Sequence, residues 1–391
     1  MKIEGYNLRM LLETYNILLF ENIKFRGDKT IWIIVFLLSL FSIMVVYSAA
    51  GWLDLISHII KLSIGICAIY IIHLIPFKYF SKLGQIGYFT SLLLLLLVLI
   101  IGVSVNGASR WINIAGLQFQ PSDIAKIAVI IYMARQISIN REKIDRFKHF
   151  LLYIVLPLVI ICLLILPNNF STSALVFING LVIMFIGGVR LSFILKLLAI
   201  SILTAFLIYA TAKFTSFGSE IIPRSSTWVS RIDSYFIDND QEMMDKDYQQ
   251  IQALVAIQNG SLFGTGPGKS IQRSILPYSE SDFIFAIILE EYGFVGGCIV
   301  LLLYLILFFR SIRISLNTDS IFGGLIVIGL MFSLVFQALI NMLVSVELIP
   351  VTGQTLPLIS MGGTSLVFTC IALGVILSVS TKYLEGEYEK D

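Results

Sequence analysis

The sequence predicts an all-α polytopic membrane protein with about ten transmembrane helices. Of its 391 residues, 57% are hydrophobic and 13% are charged, and the mean hydropathy is +0.91. These values exclude an ordinary soluble domain. A helix needs about 17–25 largely apolar residues to cross about 30 Å of hydrocarbon. Ten such runs occur, near residues 31–50, 54–75, 84–103, 121–138, 150–166, 173–188, 191–212, 283–309, 321–345 and 359–381.

Residues 1–30 precede the first apolar run and form a predicted cytoplasmic N-terminal segment. Within it, Leu8, Leu11 and Leu18 stand at helical spacing with charges between them, which fits a helix lying on the inner membrane face. An unstructured tail fits the same pattern equally well. Because the segment lacks a small-residue cleavage pattern, we expect a retained first span rather than a removed signal peptide.

Basic residues indicate the orientation of the spans. Most of the 27 Lys and Arg residues lie in the N-terminal segment, in every second loop and near the C-terminus. The positive-inside rule then places both termini in the cytoplasm, including a short tail at 383–391. Residues 31–382 form the ten-span domain, in which the hydrophilic stretch 213–282 is a long outer loop between the seventh and eighth spans. The net charge of +2 indicates no class of partner, and we expect no nucleic-acid partner.

The start of the fourth span carries a charged pair. Pro121 suits a first helical turn, Asp123 suits the positive end of the helix dipole, and Lys126 stands three residues further on. Lys126 therefore either completes a self-neutralised helix start or forms the cationic wall of an outward-facing cavity. Upstream, Arg110 and Trp111 fit an interfacial anchor, a lipid-phosphate contact or a surface on which a sugar stacks.

Three carboxylates occur where the long outer loop becomes the eighth span. Asp282 lies at the predicted helix start, so capping is its simplest role. Glu290 and Glu291 lie about 12–14 Å deeper along the helix axis. An ionised group at mid-membrane costs roughly 2.5–3.5 kcal/mol, so we expect at least one of them to face protein, with Lys126 as the natural partner.

A second unusual stretch runs from Pro350 to Gly363. It holds two prolines and three glycines at a membrane boundary. Irregular backbone at this depth is tolerated only where it is buried in protein or lines a wet cavity. We therefore expect a re-entrant or broken segment beneath a groove that lies between the spans starting near 121 and 283, with Gly264–Asp282 as its roof.

These stretches, in this order and spacing, resemble the SEDS family of shape, elongation, division and sporulation proteins. The similarity covers nearly the whole chain. The elements that carry it are Asn106-Gly107 with Arg110-Trp111-Ile112, Gln120-Pro121-Ser122 with Lys126, Tyr248-Gln249 with Gln252, Gly264 and Gly266, Asp282-Phe283-Ile284-Phe285 with Glu290-Glu291, and Pro350-Val351-Thr352-Gly353 through Ser360 to Gly362-Gly363.

The resemblance implies a glycosyltransferase of the bacterial cytoplasmic membrane that polymerises lipid II into β-1,4 glycan strands on the outer face. Its other implied partners are undecaprenyl-pyrophosphate-linked glycan, a class B penicillin-binding transpeptidase, and further proteins of the division or elongation complex. Asp282 matches the family's essential aspartate, and a carboxylate there can act as general base toward the acceptor sugar. The substrate-binding residues that we expect are Arg110, Trp111, Lys126, Gln249, Gln252, Glu290, Glu291, Thr352 and Ser360. The sequence leaves open whether a divalent cation such as Mg²⁺ or Mn²⁺ takes part.

The chain departs from the usual family pattern at several positions. Ser274 replaces a common Glu, Tyr278-Ser279-Glu280-Ser281 replaces Glu-x-His-Thr, Asn168-Asn169-Phe170-Ser171-Thr172 replaces Pro-Asp-x-Gly-Thr, and Asp123 replaces Glu. The third outer loop and Gln354 favour the division-type FtsW branch over the elongation-type RodA branch. A lipid II flippase and a non-catalytic scaffold are the alternatives, and both would tolerate the loss of Asp282.

Overall fold

The protein is described here from a computed structural model that covers residues 25–105, 108–114, 117–214, 228–229, 233 and 248–388. The expected interfacial helix of the N-terminal segment falls almost entirely outside these residues. Most of the outer loop between 215 and 247 and the last residues of the tail also fall outside them.

The described residues form a bundle of long helices. In chain order these are α1 Lys29–His73, α2 Phe80–Ile101, α3 Pro121–Ile139, α4 Phe147–Ile165, α5 Phe170–Ile186, α6 Leu191–Phe214, α7 Tyr248–Gly260, α8 Ile284–Leu316, α9 Ile321–Ser345 and α10 Thr364–Tyr388. The first residues of α4 include a π-helical turn, Leu151–Val155. The predicted all-α polytopic class is confirmed.

Seven of the described helices are long and apolar enough to cross a membrane, namely α1, α2 with its leading turn, α4, α6, α8, α9 and α10. The 45-residue α1 breaks at Gly51, where φ is 81°, so it provides the two crossings that the sequence divides near residue 51. The remaining two predicted spans are α5, which has 17 residues, and α3, whose first turn is polar. The short length of α5 and the polar first turn of α3 are why these two helices are not among the seven that are long and apolar enough to cross a membrane.

One feature that the sequence analysis did not predict is a small antiparallel sheet between α2 and α3. Strands β1 Val103–Val105, β2 Ala108–Ile114 and β3 Leu117–Phe119 pair in the order β1-β2-β3. Strands of three to seven residues give little periodic signal, which explains why the sequence did not reveal them. The sheet holds Arg110 and Trp111 at the mouth of the bundle.

The centre of the bundle is α9, which packs against α3, α5, α7, α8 and α10. Most of its residues are buried, and they include three polar ones, Gln337, Asn341 and Ser345. Gly329 lets α9 approach closely, because a Cβ there would lie 2.9 Å from side-chain atoms of both Ile130 and Ile183. This helix therefore carries its polar side chains into a site enclosed by its neighbours.

Asp28 connects three helices at the end of the bundle opposite to the β-sheet. Its side chain caps α1 by accepting the N–H groups of Thr30 at 2.9 Å and Ile31 at 3.1 Å. It also pairs with Arg310 of α8, and its backbone N–H donates to Ser380 of α10 at 3.0 Å. A buried charge with these partners ties three helices together at the end that carries the basic loops.

Candidate active site

A cavity of about 860 Å³ opens at the end of the bundle that holds the β-sheet. This volume lies within the range of small-molecule sites. Six of the ten residues predicted from the sequence line it, namely Arg110, Trp111, Lys126, Gln249, Asp282 and Thr352. The structure thus brings together residues that are up to 242 positions apart, from Arg110 to Thr352.

Lys126 meets both interpretations that the sequence left open. Its ammonium group lies 3.0 Å from Asp123 Oδ1 and donates to Gln337 Oε1 at 3.2 Å. The same side chain lines the cavity, although only 13% of it is exposed. The expected pairing of Lys126 with Glu290 or Glu291 is wrong, because Asp123 on its own helix is the closer carboxylate.

Asp282 lies on the cavity wall directly before α8. The turn that presents it starts at Tyr278, whose φ of 57° is left-handed. The carbonyl of Tyr278 accepts N–H groups from Ser281 and Asp282 at 3.1 Å and from Phe283 at 3.3 Å. The N-cap of α8 is Phe283, so Asp282 stands one residue outside the helix, near the positive end of its dipole.

The Pro350–Gly363 segment is irregular and lies against the Asp282 turn, as the sequence predicts. Met361 donates its N–H to the carbonyl of Glu280 at 2.9 Å, and Ser360 donates its hydroxyl to the carbonyl of Ser281 at 2.6 Å. Gly353 approaches the carboxylate itself, since a Cβ there would lie 3.7 Å from Asp282 Oδ2. Its φ of 68° also favours glycine. The segment therefore forms a wall of the cavity and braces the turn.

Ser360 and Gln252 do not line the cavity, contrary to the location expected for substrate-binding residues. Ser360 is 2% exposed, and its hydroxyl also accepts the N–H of Leu356 at 2.8 Å. Gln252 is half-buried on α7, whereas Gln249 on the same helix reaches the cavity. The two glutamines are three residues apart and therefore on the same side of α7, so helical spacing does not explain the difference.

Glu290 and Glu291 also lie away from the cavity lining. They are 0% and 1% exposed, and their carboxylates bind the outer loop instead. Glu290 accepts the N–H groups of Ile271 at 3.2 Å and Gln272 at 3.3 Å, together with the Ser270 hydroxyl. These bonds satisfy a buried charge with backbone donors, which the apolar pattern of the helix could not reveal.

The second carboxylate, Glu291, connects the loop to α1. It accepts the N–H of Ser270 at 3.3 Å and the hydroxyl of Ser48. The expected roof from Gly264 is therefore wrong in its first part. That part packs on α8, where Thr265 N–H donates to Glu290 O at 2.9 Å and Gly266 N–H donates to Glu291 O at 3.0 Å. Tyr278, Ser281 and Asp282 from the end of the loop reach the cavity.

Sequence reasoning missed several polar residues of this region. Gln337 lines the cavity and donates to the carbonyl of Thr355 at 2.9 Å as well as binding Lys126. Asn341 donates to the carbonyls of Asp282 and Gln354, both at 2.8 Å. The available signal was an amide pair four residues apart in an otherwise apolar span, which places both on one helix face.

One wall of the cavity comes from α6, whose residues Ala205, Ile208, Tyr209 and Ala212 face it. Most of this helix is exposed, which agrees with a lipid-facing position. At its outer end Tyr209 donates its hydroxyl to Asp233 at 2.6 Å, and Lys213 lies 2.9 Å from the same oxygen. The hydrogen bonds from Tyr209 and then from Lys213 lower the pKa of Asp233 below its ordinary value.

The part of the chain that the structure describes contains no group of three or more His, Cys, Asp or Glu side chains placed to hold a metal ion. Among the residues that the structure describes, Asp282 and Asp123 are the two carboxylates on the cavity wall, and Asp123 is neutralised by Lys126. A divalent cation here would need most of its ligands from water and a bound phosphate. The involvement of such a cation stays an expectation.

Comparisons with known proteins agree with this architecture. The sequence pattern of the FtsW/RodA/SpoVE family, described as cell cycle protein, matches residues 28–384. The probable peptidoglycan glycosyltransferase FtsW of Buchnera aphidicola subsp. Baizongia pistaciae (strain Bp) is 31% identical over 388 residues, covering 95% of this chain and 98% of that protein. Stage V sporulation protein E of Bacillus subtilis (strain 168) is 31% identical over 373 residues, covering 91% and 98%.

Two solved structures share the fold. A chain from a study of structural coordination of polymerization and crosslinking by a peptidoglycan synthase complex aligns with a TM-score of 0.75 and 25% identity, covering 92% of this chain and 99% of that one. The crystal structure of the Thermus thermophilus rod shape determining protein RodA aligns with a TM-score of 0.66 and 25% identity, covering 90% and 96%. The chain therefore belongs to the FtsW/RodA/SpoVE family, the SEDS glycosyltransferases that its motifs resemble.

Proposed function

We propose that this FtsW-like peptidoglycan glycosyltransferase polymerises lipid II on the outer face of the bacterial cytoplasmic membrane during cell division, with Asp282 as its general base. The observation that carries the proposal is that one cavity holds a carboxylate, Asp282, together with two cationic side chains, Arg110 and Lys126. A sugar diphosphate on a lipid needs this combination, because its phosphates are anionic and its acceptor hydroxyl must lose a proton.

In the proposed reaction the acceptor sugar's 4-hydroxyl oxygen attacks the anomeric carbon of the donor. The new C–O bond forms as the bond from that carbon to the pyrophosphate oxygen breaks. Undecaprenyl pyrophosphate leaves with the bonding electrons, and the hydroxyl proton passes to Asp282. A single direct displacement inverts the anomeric centre, so an α-linked donor gives a β-1,4 linkage.

The cations have a separate task in this scheme. Arg110 and Lys126 stabilise the charge that develops on the leaving diphosphate, which is an electrostatic contribution to the transition state. Lys126 reaches the cavity while it pairs with Asp123, so its position is held before substrate arrives. Trp111, Gln249 and Thr352 line the same cavity and are the further candidates for sugar or phosphate contacts.

The proposed location rests on charge and topology. The basic loops near Lys78, Arg141 and Arg310 lie at the ends of helices opposite to the cavity. By the positive-inside rule the end of the bundle that carries these basic residues faces the cytoplasm. Both termini are therefore cytoplasmic, and the cavity faces outward. The apolar face of α6 beside the cavity gives a lateral route for a polyprenyl chain, which would otherwise expose its length to water.

Partners follow from the family. The similarity to a chain of a peptidoglycan synthase complex supports a class B penicillin-binding transpeptidase as the partner that crosslinks the glycan. Relatives named FtsW, with sequence identities of about 31%, support a division role. The alternative is an elongation role, in which a RodA-type enzyme would use the same chemistry. Other division-complex proteins are expected to associate with it.

The experiment is polymerisation of purified lipid II by the purified protein and by its Asp282→Asn variant. This swap keeps the shape and removes the base, so turnover should fall by at least about a hundredfold while lipid II binding changes little. Glu280→Gln is the matched control, because Glu280 is two residues away and is not a cavity-lining residue. Turnover of Asp282→Asn within about tenfold of wild type would reject the general-base role.

A lipid II flippase would use the same cations without chemistry. It is distinguished in the same samples by lipid II translocation in proteoliposomes. Translocation that persists in Asp282→Asn, with no polymer formed by the wild-type protein, would favour the flippase over the transferase.

A further inference from the structure

One side chain of α9 bridges the two segments that form the Asp282 wall of the cavity. Asn341 is 1% exposed, and its amide nitrogen donates to the carbonyl of Asp282 and to the carbonyl of Gln354, each at 2.8 Å. Both amide hydrogens are therefore used on backbone oxygens. Asn341 is not among the residues that line the cavity, so it reaches the site only through these two carbonyls.

We propose that Asn341 is a positioning residue that holds the carboxylate of Asp282 in its reactive place by fixing the Asp282 peptide. The inference rests on the proposed function, because it takes Asp282 as the base. The bonds of α8 begin with the carbonyl of Phe283, which accepts the N–H of Ala286 at 3.0 Å. The carbonyl of Asp282 lies before that ladder and takes its bond from Asn341 instead.

The neighbouring peptides are held by other groups. Ser360 binds the carbonyl of Ser281, and the N–H of Met361 binds that of Glu280. Asn341 adds the clamp closest to the reactive side chain, which extends from the same Cα as the carbonyl that it holds. Without it, the Asp282 peptide could rotate between its neighbours, and a displacement of about 1 Å can cost a hundredfold in rate.

The second hydrogen bond of Asn341, to the carbonyl of Gln354, fixes the backbone segment that faces Asp282. Gln354 follows Gly353, the residue whose backbone approaches the Asp282 carboxylate. Gln354 also donates its side-chain amide to Thr172 of α5 at 3.0 Å. Asn341 thus couples the start of α8 to the wall segment and, through Gln354, to α5. This coupling fixes the distance between the Asp282 carboxylate and the backbone at Gly353.

The test compares Asn341→Leu, which keeps the approximate size and removes both donors, with Asn179→Leu as control. Asn179 is 2% exposed on α5 and is not a cavity-lining residue, so the control makes the same chemical change at similar burial. Three properties of the full-length protein are measured in detergent: lipid II turnover, lipid II affinity and melting temperature.

We expect Asn341→Leu to lower turnover by about 30-fold or more while affinity stays within about threefold, a kcat effect without a KM effect. Its melting temperature should be lower than that of Asn179→Leu, because two carbonyls lose their donor, so turnover is compared per mole of folded protein. The turnover of Asn179→Leu should stay within about threefold of wild type. The acid limb of the pH–rate profile should also shift in Asn341→Leu, because the base changes its surroundings. A merely structural role would lower the amount of active protein without moving this limb.

Turnover of Asn341→Leu within about threefold of wild type would overturn the inference, and so would a loss that parallels the losses of affinity and stability. If Asn341→Leu does not fold, Asn341→Ala provides the same comparison, since the space left admits water to both carbonyls. Asp282→Asn is assayed alongside. An active Asp282→Asn rejects the proposed function itself, whereas an inactive Asp282→Asn with a fully active Asn341→Leu rejects only the positioning role.

Discussion

The Glu290→Gln substitution tests whether this carboxylate binds the outer loop or the substrate. In the structure, Glu290 is fully buried and its two oxygens accept from Asn259 at 3.3 Å, from the N–H of Ile271 at 3.2 Å, from the N–H of Gln272, and from the Ser270 hydroxyl. Glutamine turns one of these acceptors into an NH₂ group. That group must then face at least one donor, and the remaining contacts lose their charge.

The size of the effect follows from these contacts. A hydrogen bond to a charged group contributes about 1.5–3 kcal/mol, and water recovers part of what is lost. Weakening two such bonds should lower the free energy of local loop opening by about 2–4 kcal/mol, which corresponds to about 30- to 700-fold faster amide exchange. Hydrogen–deuterium exchange of the peptide amides in residues 264–281 measures this change.

Glu347→Gln is the matched control, because Glu347 is an exposed carboxylate at the same end of the bundle. Its exchange in residues 264–281 should equal that of wild type. Exchange in Glu290→Gln within about threefold of wild type would contradict the reasoning. If that intact loop were accompanied by weaker lipid II binding, the result would support the substrate-binding role that the sequence predicts for Glu290.

Two further predictions concern Lys126 and Gly260. Lys126→Met should lower the melting temperature, because it leaves Asp123 buried without its cation, a change that typically costs about 3–5 kcal/mol. In Asp123→Asn/Lys126→Met most of that stability should return, while lipid II affinity stays at least about tenfold reduced; affinity that recovers with stability would make Lys126 purely structural. Gly260→Ala should destabilise the protein by more than about 1–3 kcal/mol, since its Cβ would lie 1.9 Å from the carbonyl oxygen of Leu289. Gly87→Ala is its control, because the nearest atom there is 3.5 Å away; equal melting temperatures for the two variants would contradict the close approach of α7 to α8.

Several properties of this protein could be predicted from local sequence alone. Apolar runs predict the helical membrane class, because hydrocarbon requires every backbone polar group to be bonded within a helix. The division between the first two spans follows from where the apolar runs end, and the irregular Pro350–Gly363 segment follows from its glycines and prolines. Asp282, Arg110 and Lys126 were identified as a group because charged residues next to apolar spans are costly and therefore rarely incidental.

The tertiary structure alone decided which partner each polar residue has. Glu290 and Glu291 look like site residues in the sequence, yet they bind loop backbone 18 to 21 residues upstream and Ser48 on α1. Ser360 binds a carbonyl 79 residues away, and Asn341 binds one 59 residues away. A buried polar group must find a hydrogen-bond partner, but this requirement does not specify which one. The partner is set by how the helices cross, and that depends on packing across the whole bundle rather than on any local pattern.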